Sequence, residues 1–100
     1  MLDEIIAELG ENYDANDRAL LEQIIDETTS NALFISNRND TVYNRDLLKP
    51  EIKQSVISQY LRRGSEDVTS LGQSGLSSSY IDYMEQLRQN IVKNGKRLIA

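Results

Sequence analysis

The sequence predicts an all-α domain, a small bundle of about four helices with a long Ser/Gly-rich loop between the third and fourth. Apolar residues recur at helical spacing in four separate stretches of the 100-residue chain, and charged residues fall where a helix dipole favours them. The stretch 41–43 is too short to predict a strand. A chain of this length supports one small core, so residues 1–100 are expected to form a single domain.

The first helix is predicted from Leu2, Ile5, Ile6 and Leu9, which share one helical face, and Gly10 is placed to end it. The second helix follows Asp14, whose carboxylate can accept hydrogen bonds from the free amides of the next turn. It is expected to run from about 15 to the low thirties. Its apolar stripe consists of Leu20, Leu21, Ile24, Ile25, Thr28 and Ala32.

Residues 36–46 are rich in Asn, Asp and Ser and are interpreted as a connection. Pro50, the only proline, suits the first turn of a helix because its missing amide would have no partner there. The third helix is therefore expected to begin near 49 and to stop at Gly64. One face of this helix carries Ile52, Val56, Ile57, Tyr60 and Leu61.

Residues 64–79 contain six serines and three glycines. A connection of this length is uncommon unless it is functional or disordered, so a segment that orders on docking is favoured over a passive tether. The fourth helix is predicted over about 79–93, with an apolar stripe of Tyr80, Met84, Leu87 and Ile91. Residues 94–100 form a tail, which either inserts into a partner or frays.

The net charge of −5 is unevenly distributed along the chain. Residues 1–50 hold eleven acids against four bases, whereas residues 51–100 hold five acids against seven bases. An acidic chain without a long basic run is poorly suited to neutralise phosphates, which argues against nucleic-acid binding as the main function. No stretch is apolar enough to span a membrane and the N-terminus is acidic, so a soluble protein made in a cytoplasm is expected.

The residue types argue against catalysis. The chain has no histidine and no cysteine, which removes the commonest general base, the thiol nucleophile and most zinc sites. The acids at 14–17 lack the spacing of a calcium loop, and a helix cap explains them more simply. Catalytic, metal and cofactor-binding residues are therefore all predicted to be absent.

Two short motifs resemble the head-tail connector family of tailed bacteriophages. The stretch 60–66 reads Tyr-Leu-Arg-Arg-Gly-Ser-Glu, and after a Ser/Gly-rich loop the stretch 79–82 reads Ser-Tyr-Ile-Asp. In that family an Arg-rich helix end leads through such a loop into the closing helix. The chain departs from the pattern at Asp67, where members often have glycine.

The resemblance implies a structural virion protein made in the bacterial host cytoplasm. Such a subunit forms a homo-oligomeric ring, dodecameric in the virion, beneath the portal protein, extends the DNA channel with only passive DNA contact, and offers a platform to a downstream connector, stopper or tail-completion protein. No membrane and no cofactor is implied. The residues expected at partner or subunit interfaces are Arg62, Arg63, Ser65, Glu66, Asp67, Leu71, Leu76, Tyr80, Asp82, Lys96 and Arg97.

Several of these residues have a simpler interpretation. Arg62 and Arg63 are also ordinary partners of a helix C-terminus, and Tyr80 is better explained by core packing. The alternative function is a small helical DNA-packaging or DNA-binding accessory protein, in which helices two and three form a helix-turn-helix. The long predicted connection and the lack of a basic helix face oppose it.

Overall fold

The computed structural model describes residues 1–63 and 72–98, with side chains for 1–62 and 82–98. Within these described residues, four α-helices confirm the predicted all-α class: α1 (Leu2–Leu9), α2 (Arg18–Ser36), α3 (Val42–Arg63) and α4 (Gly72–Lys93). Two short 3-10 turns, Gly10–Asn12 and Ala15–Asp17, join α1 to α2. Helices α2, α3 and α4 pack together as a three-helix unit, and α1 lies against α2 and α3.

The core draws its apolar side chains from all four helices, as the helical stripes predicted. Because each helix contributes one apolar face, the four stripes meet in one cluster rather than in separate cores. The buried members of this cluster are Ile5, Leu9, Leu21, Ala32, Leu33, Leu48, Ile52, Val56, Tyr60, Leu87 and Ile91.

Helix α1 is held on α3 by charge as well as by its apolar face. Glu4 pairs with Lys49 at 2.7 Å and Glu8 pairs with Lys53 at 2.5 Å, one helical turn apart on both helices. The Lys49 ammonium donates to the Glu4 carboxylate and thereby holds the pKa of that carboxyl below its usual range. The negative charges of Glu4 and Glu8 in α1 are thus balanced by lysines of α3.

The connection from α1 to α2 is anchored on the far end of α3. The Tyr60 hydroxyl donates to Asp17 at 2.7 Å and accepts from the backbone N–H of Asp14 at 3.1 Å. Asp14 in turn accepts from the backbone N–H of Asn16, so it caps the 3-10 turn Ala15–Asp17 and not, as had been predicted, α2. Helix α2 itself begins at Arg18, a 3-10 turn later than expected.

The predicted start of the third helix was wrong. Helix α3 begins at Val42, so residues 42–46 are helical rather than part of a connection, and Pro50 lies inside the helix rather than in its first turn. The Thr41 hydroxyl accepts from the backbone N–H of Asn44 at 3.1 Å, the geometry of a helix N-cap. This cap sets the start of α3. Pro50 lies further along the helix, with its side chain exposed to solvent.

Helix α4 also begins earlier than expected, at Gly72. The second part of the predicted loop, 72–79, is therefore helical, while 64–71 lies outside the described residues. The remainder of α4 follows its predicted stripe, since Leu87 and Ile91 are buried and Met84 is half-buried. The helix ends at Lys93, as predicted.

A buried carboxylate joins α3 to the tail. Glu51 is only 2% exposed and accepts from Lys96 Nζ at 2.9 and 3.0 Å and from Asn94 Nδ2 at 2.6 Å. Lys96 Nζ also donates to the Leu47 carbonyl at 2.8 Å. A buried charge is tolerated only when it is paired and hydrogen-bonded, so these contacts make burial of Glu51 possible.

Replacing Lys96 with Met should destabilise the fold by about 3 kcal/mol, because it leaves the Glu51 charge buried without its ammonium partner. Urea unfolding followed by circular dichroism measures the change. Lys93→Met, on an exposed basic residue, is the matched control and should change stability by less than about 0.5 kcal/mol. Equal stability of the two variants would contradict this account of Glu51.

The lowered Glu4 pKa also predicts a dependence of stability on pH. The Glu4–Lys49 pair contributes fully above the unfolded carboxyl pKa, near 4.5, and its contribution disappears as pH falls through the lower folded value. Between pH 5 and about pH 3, Lys49→Met should therefore lose less stability than the unmodified chain. Parallel urea titrations at each pH test this, and identical pH slopes would overturn it.

Candidate docking surface

An open apolar groove lies where the C-terminal ends of α2 and α4 meet the tail. Its exposed apolar residues are Phe34, Val92 and Leu98, which are 85%, 47% and 47% exposed, and the half-buried Ile35 lies beside them. The groove encloses about 870 Å³, a volume typical of sites that receive a ligand or partner side chains. Large apolar residues gathered on a surface commonly mark an interaction site.

The tail forms one wall of this groove and is fixed by backbone contacts. The Leu98 N–H donates to the Ser36 carbonyl at 2.8 Å, at the end of α2. Arg38 Nε donates to the Lys96 carbonyl at 2.8 Å, and Arg38 Nη1 donates to Asn44 at 3.1 Å. Residues 94–98 are therefore docked on their own domain, and the groove is built before any partner arrives.

Two arginines line the rim of the groove, and only Arg97 leaves it a net positive charge, because Arg88 is paired with Glu85. Arg88 pairs with Glu85 at 2.8 Å, and this contact lowers the pKa of the Glu85 carboxyl. Arg97 also lines the groove, is exposed, and forms no ion pair within the residues that the structure describes. The rim therefore carries a net positive charge beside the apolar floor.

A second exposed apolar feature lies in the first turn of α3. Val42 and Tyr43 are 77% and 71% exposed. Asp40 and Arg45 flank them in a two-pronged ion pair, in which Arg45 lowers the pKa of the Asp40 carboxyl. Asp46, one turn along α3, is exposed and has no ion-pair partner in the described part of the chain. Val42, Tyr43 and Asp46 together are called the α3 knob, and the net charge of this feature is negative.

The groove and Asp46 of the α3 knob line different depressions of the surface. The groove is lined by α2, α4 and the tail. Asp46 instead lines a small depression, with Met1, Ile25 and Lys49, among α1, α2 and α3. One molecule thus presents two different apolar surfaces of opposite charge.

The predicted interface residues are scattered over the molecule. The Arg62 guanidinium lies 5.4 Å from the centre of the Tyr83 ring, a cation–π distance that joins α3 to α4. Asp82 is exposed, and Arg97 lines the groove. Lys96 is engaged within the chain by Glu51, so its position does not favour a partner contact.

The other predicted interface residues lie wholly or partly outside the described part. The backbone of Arg63 belongs to α3, and those of Leu76 and Tyr80 belong to α4, but their side chains are outside it. Ser65, Glu66, Asp67 and Leu71 lie in 64–71, which is also outside. Their role at an interface stays a prediction.

Comparison of the chain with family models, with curated proteins and with solved structures found no match. Within the described residues, no three acidic side chains gather as a metal site would require. No helix in that part of the chain is long and apolar enough to cross a membrane.

The groove residues that the sequence analysis did not single out include Phe34, Ile35, Arg88 and Val92. Phe34 falls outside the apolar stripe of α2, whose buried members include Leu21, Ala32 and Leu33. A phenylalanine off the buried face of an amphipathic helix is the signal that could have located the groove. Leu98 belongs to the tail, which the sequence analysis interpreted as a segment that either inserts into a partner or frays.

Replacing Phe34 with Ser should leave the free energy of unfolding within about 0.5 kcal/mol, because the ring is on the surface. It should also reduce binding of a fluorescent hydrophobic dye to the folded protein. Leu33→Ala, at the buried neighbouring position, is the control and should cost about 2–4 kcal/mol. A Phe34→Ser variant as unstable as Leu33→Ala would show that the groove is part of the core.

Proposed function

We propose that this chain is a structural subunit of a tailed-bacteriophage virion, a head-tail connector that assembles into a ring beneath the portal. The observation that carries the proposal is the preformed, basic-rimmed apolar groove of Phe34, Val92 and Leu98. A surface of this kind suits contact with another protein rather than chemistry on a substrate. The phage assignment comes from the motifs at 60–66 and 79–82.

The two differently charged faces also suit a ring. A ring closed by rotation uses a heterologous interface, in which one face of each subunit contacts a different face of the next. The groove and the α3 knob supply two such faces in one subunit. In a connector, the ring would continue the DNA channel below the portal and present its outer edge to the next connector or tail protein.

One observation favours the alternative, a DNA-binding accessory protein. The connection between α2 and α3 spans only 37–41, close to the three or four residues of a helix-turn-helix and much shorter than predicted. The charges oppose this function. Lys49 and Lys53 of α3 are paired with acids of α1, and the exposed side of α2 carries acids, including Glu22 and Asp26. Among the described side chains, neither helix therefore offers the basic face that phosphate binding needs.

Negative-stain electron microscopy tests the proposal. The purified chain, mixed with the portal protein of its own phage, should add a ring of density to one end of the portal, and a portal from an unrelated phage should stay bare. A portal that remains undecorated at every protein concentration would overturn the connector function. Salt-dependent binding to duplex DNA in a gel shift would then favour the alternative.

A further inference from the structure

We propose that the groove receives the α3 knob of a second copy of this chain. The inference rests on the proposed function in one respect, since a connector ring is the assembly that such a contact would build. It identifies the occupant of the groove as Val42 and Tyr43 of the neighbour, with Asp46 of the neighbour beside the basic rim. The contact makes the subunits join head to tail.

The knob and the groove both expose large apolar side chains. The knob exposes adjacent valine and tyrosine side chains at the start of a helix, where both project from the domain. The groove offers a phenylalanine, a valine and a leucine around an open volume of about 870 Å³. Aromatic side chains that enter an apolar pocket are the usual anchors of protein interfaces. Both features are otherwise exposed to water on an isolated subunit.

The charges complement one another. Arg97 on the groove rim and Asp46 on the knob are exposed, and neither has an ion-pair partner within the described residues of its own chain. The remaining charges of the knob, Asp40 and Arg45, cancel in their mutual pair. Docking thus brings a net negative knob to a net positive rim, which favours this partner and orientation over groove-to-groove contact.

The groove and the Asp46 carboxylate of the knob occupy different parts of the surface of one subunit. The groove lies on the side of α2 that faces α4, whereas Asp46 lies on the side covered by α1. Each subunit can therefore use its groove for one neighbour and its knob for another. Repeated use of such a contact closes a ring when the rotation permits, and otherwise extends as a filament.

A complementation experiment separates this contact from other forms of self-association. Phe34→Ser removes the groove floor and keeps the knob, whereas Tyr43→Ser removes the knob and keeps the groove. Each variant alone should sediment as a monomer at concentrations where the unmodified chain assembles. An equimolar mixture should form a heterodimer, because one intact groove and one intact knob remain in the pair.

Charge reversal tests the orientation of the contact. Arg97→Glu and Asp46→Lys should each weaken self-association about ten-fold, and the double variant should recover it because the pair is restored with opposite sign. Lys93→Glu, at an exposed basic position of α4 outside the groove lining, is the matched control and should assemble as the unmodified chain does. Sedimentation velocity over a concentration series measures each affinity.

The inference is overturned if the unmodified chain stays monomeric throughout the series, if Phe34→Ser and Tyr43→Ser assemble normally, or if their mixture forms no heterodimer. Its failure is distinct from failure of the connector function. Rings on the portal formed equally well by both variants would keep the connector function and reject this contact. Heterodimers from the mixture, with a bare portal, would keep the contact and reject the connector function.

Discussion

The buried carboxylate of Glu51 is the constraint on which the rest of this domain depends. Placing a charge in the middle of α3 is unfavourable unless partners reach it, and the partners come from the tail, at Asn94 and Lys96. Satisfying Glu51 therefore fixes the path of the chain after α4. That path carries Leu98 onto the end of α2, where it completes the groove. A core electrostatic requirement thus determines the shape of a surface.

Local signals were sufficient to predict the helices but not all of their ends. The helical spacing of the apolar residues predicted α1 and the central parts of α2, α3 and α4. The capping by Asp14 was predictable from its residue type alone. The start of α3 was missed because the prominent Pro50 outweighed the weaker capping signal of Thr41. Proline is tolerated there inside a helix whose neighbours supply most of the stability, a tertiary effect that no local pattern contains.

The surface features were harder to predict from the sequence than the helices were. The Glu51–Lys96 pair joins residues 45 positions apart, and nothing in the local sequence of either residue marks the other as its partner. The groove combines α2, α4 and the tail, so its existence depends on how three segments pack. The motif at 60–66 lies at the Arg62 end of α3, whereas the groove lies near the opposite end of the bundle, where α3 begins and α4 ends.

The dependence of the groove on the tail has a consequence for the order of events during synthesis. The ribosome synthesises Phe34 and the α3 knob early. It synthesises Val92, then Asn94 and Lys96, and finally Leu98 only after most of α4. A nascent chain therefore contains the residues of the α3 knob before it contains all the residues that line the groove. On the groove-to-knob contact proposed above, such a chain would bind one finished subunit through its knob but would offer no complete groove to another until residues 94–98 have emerged.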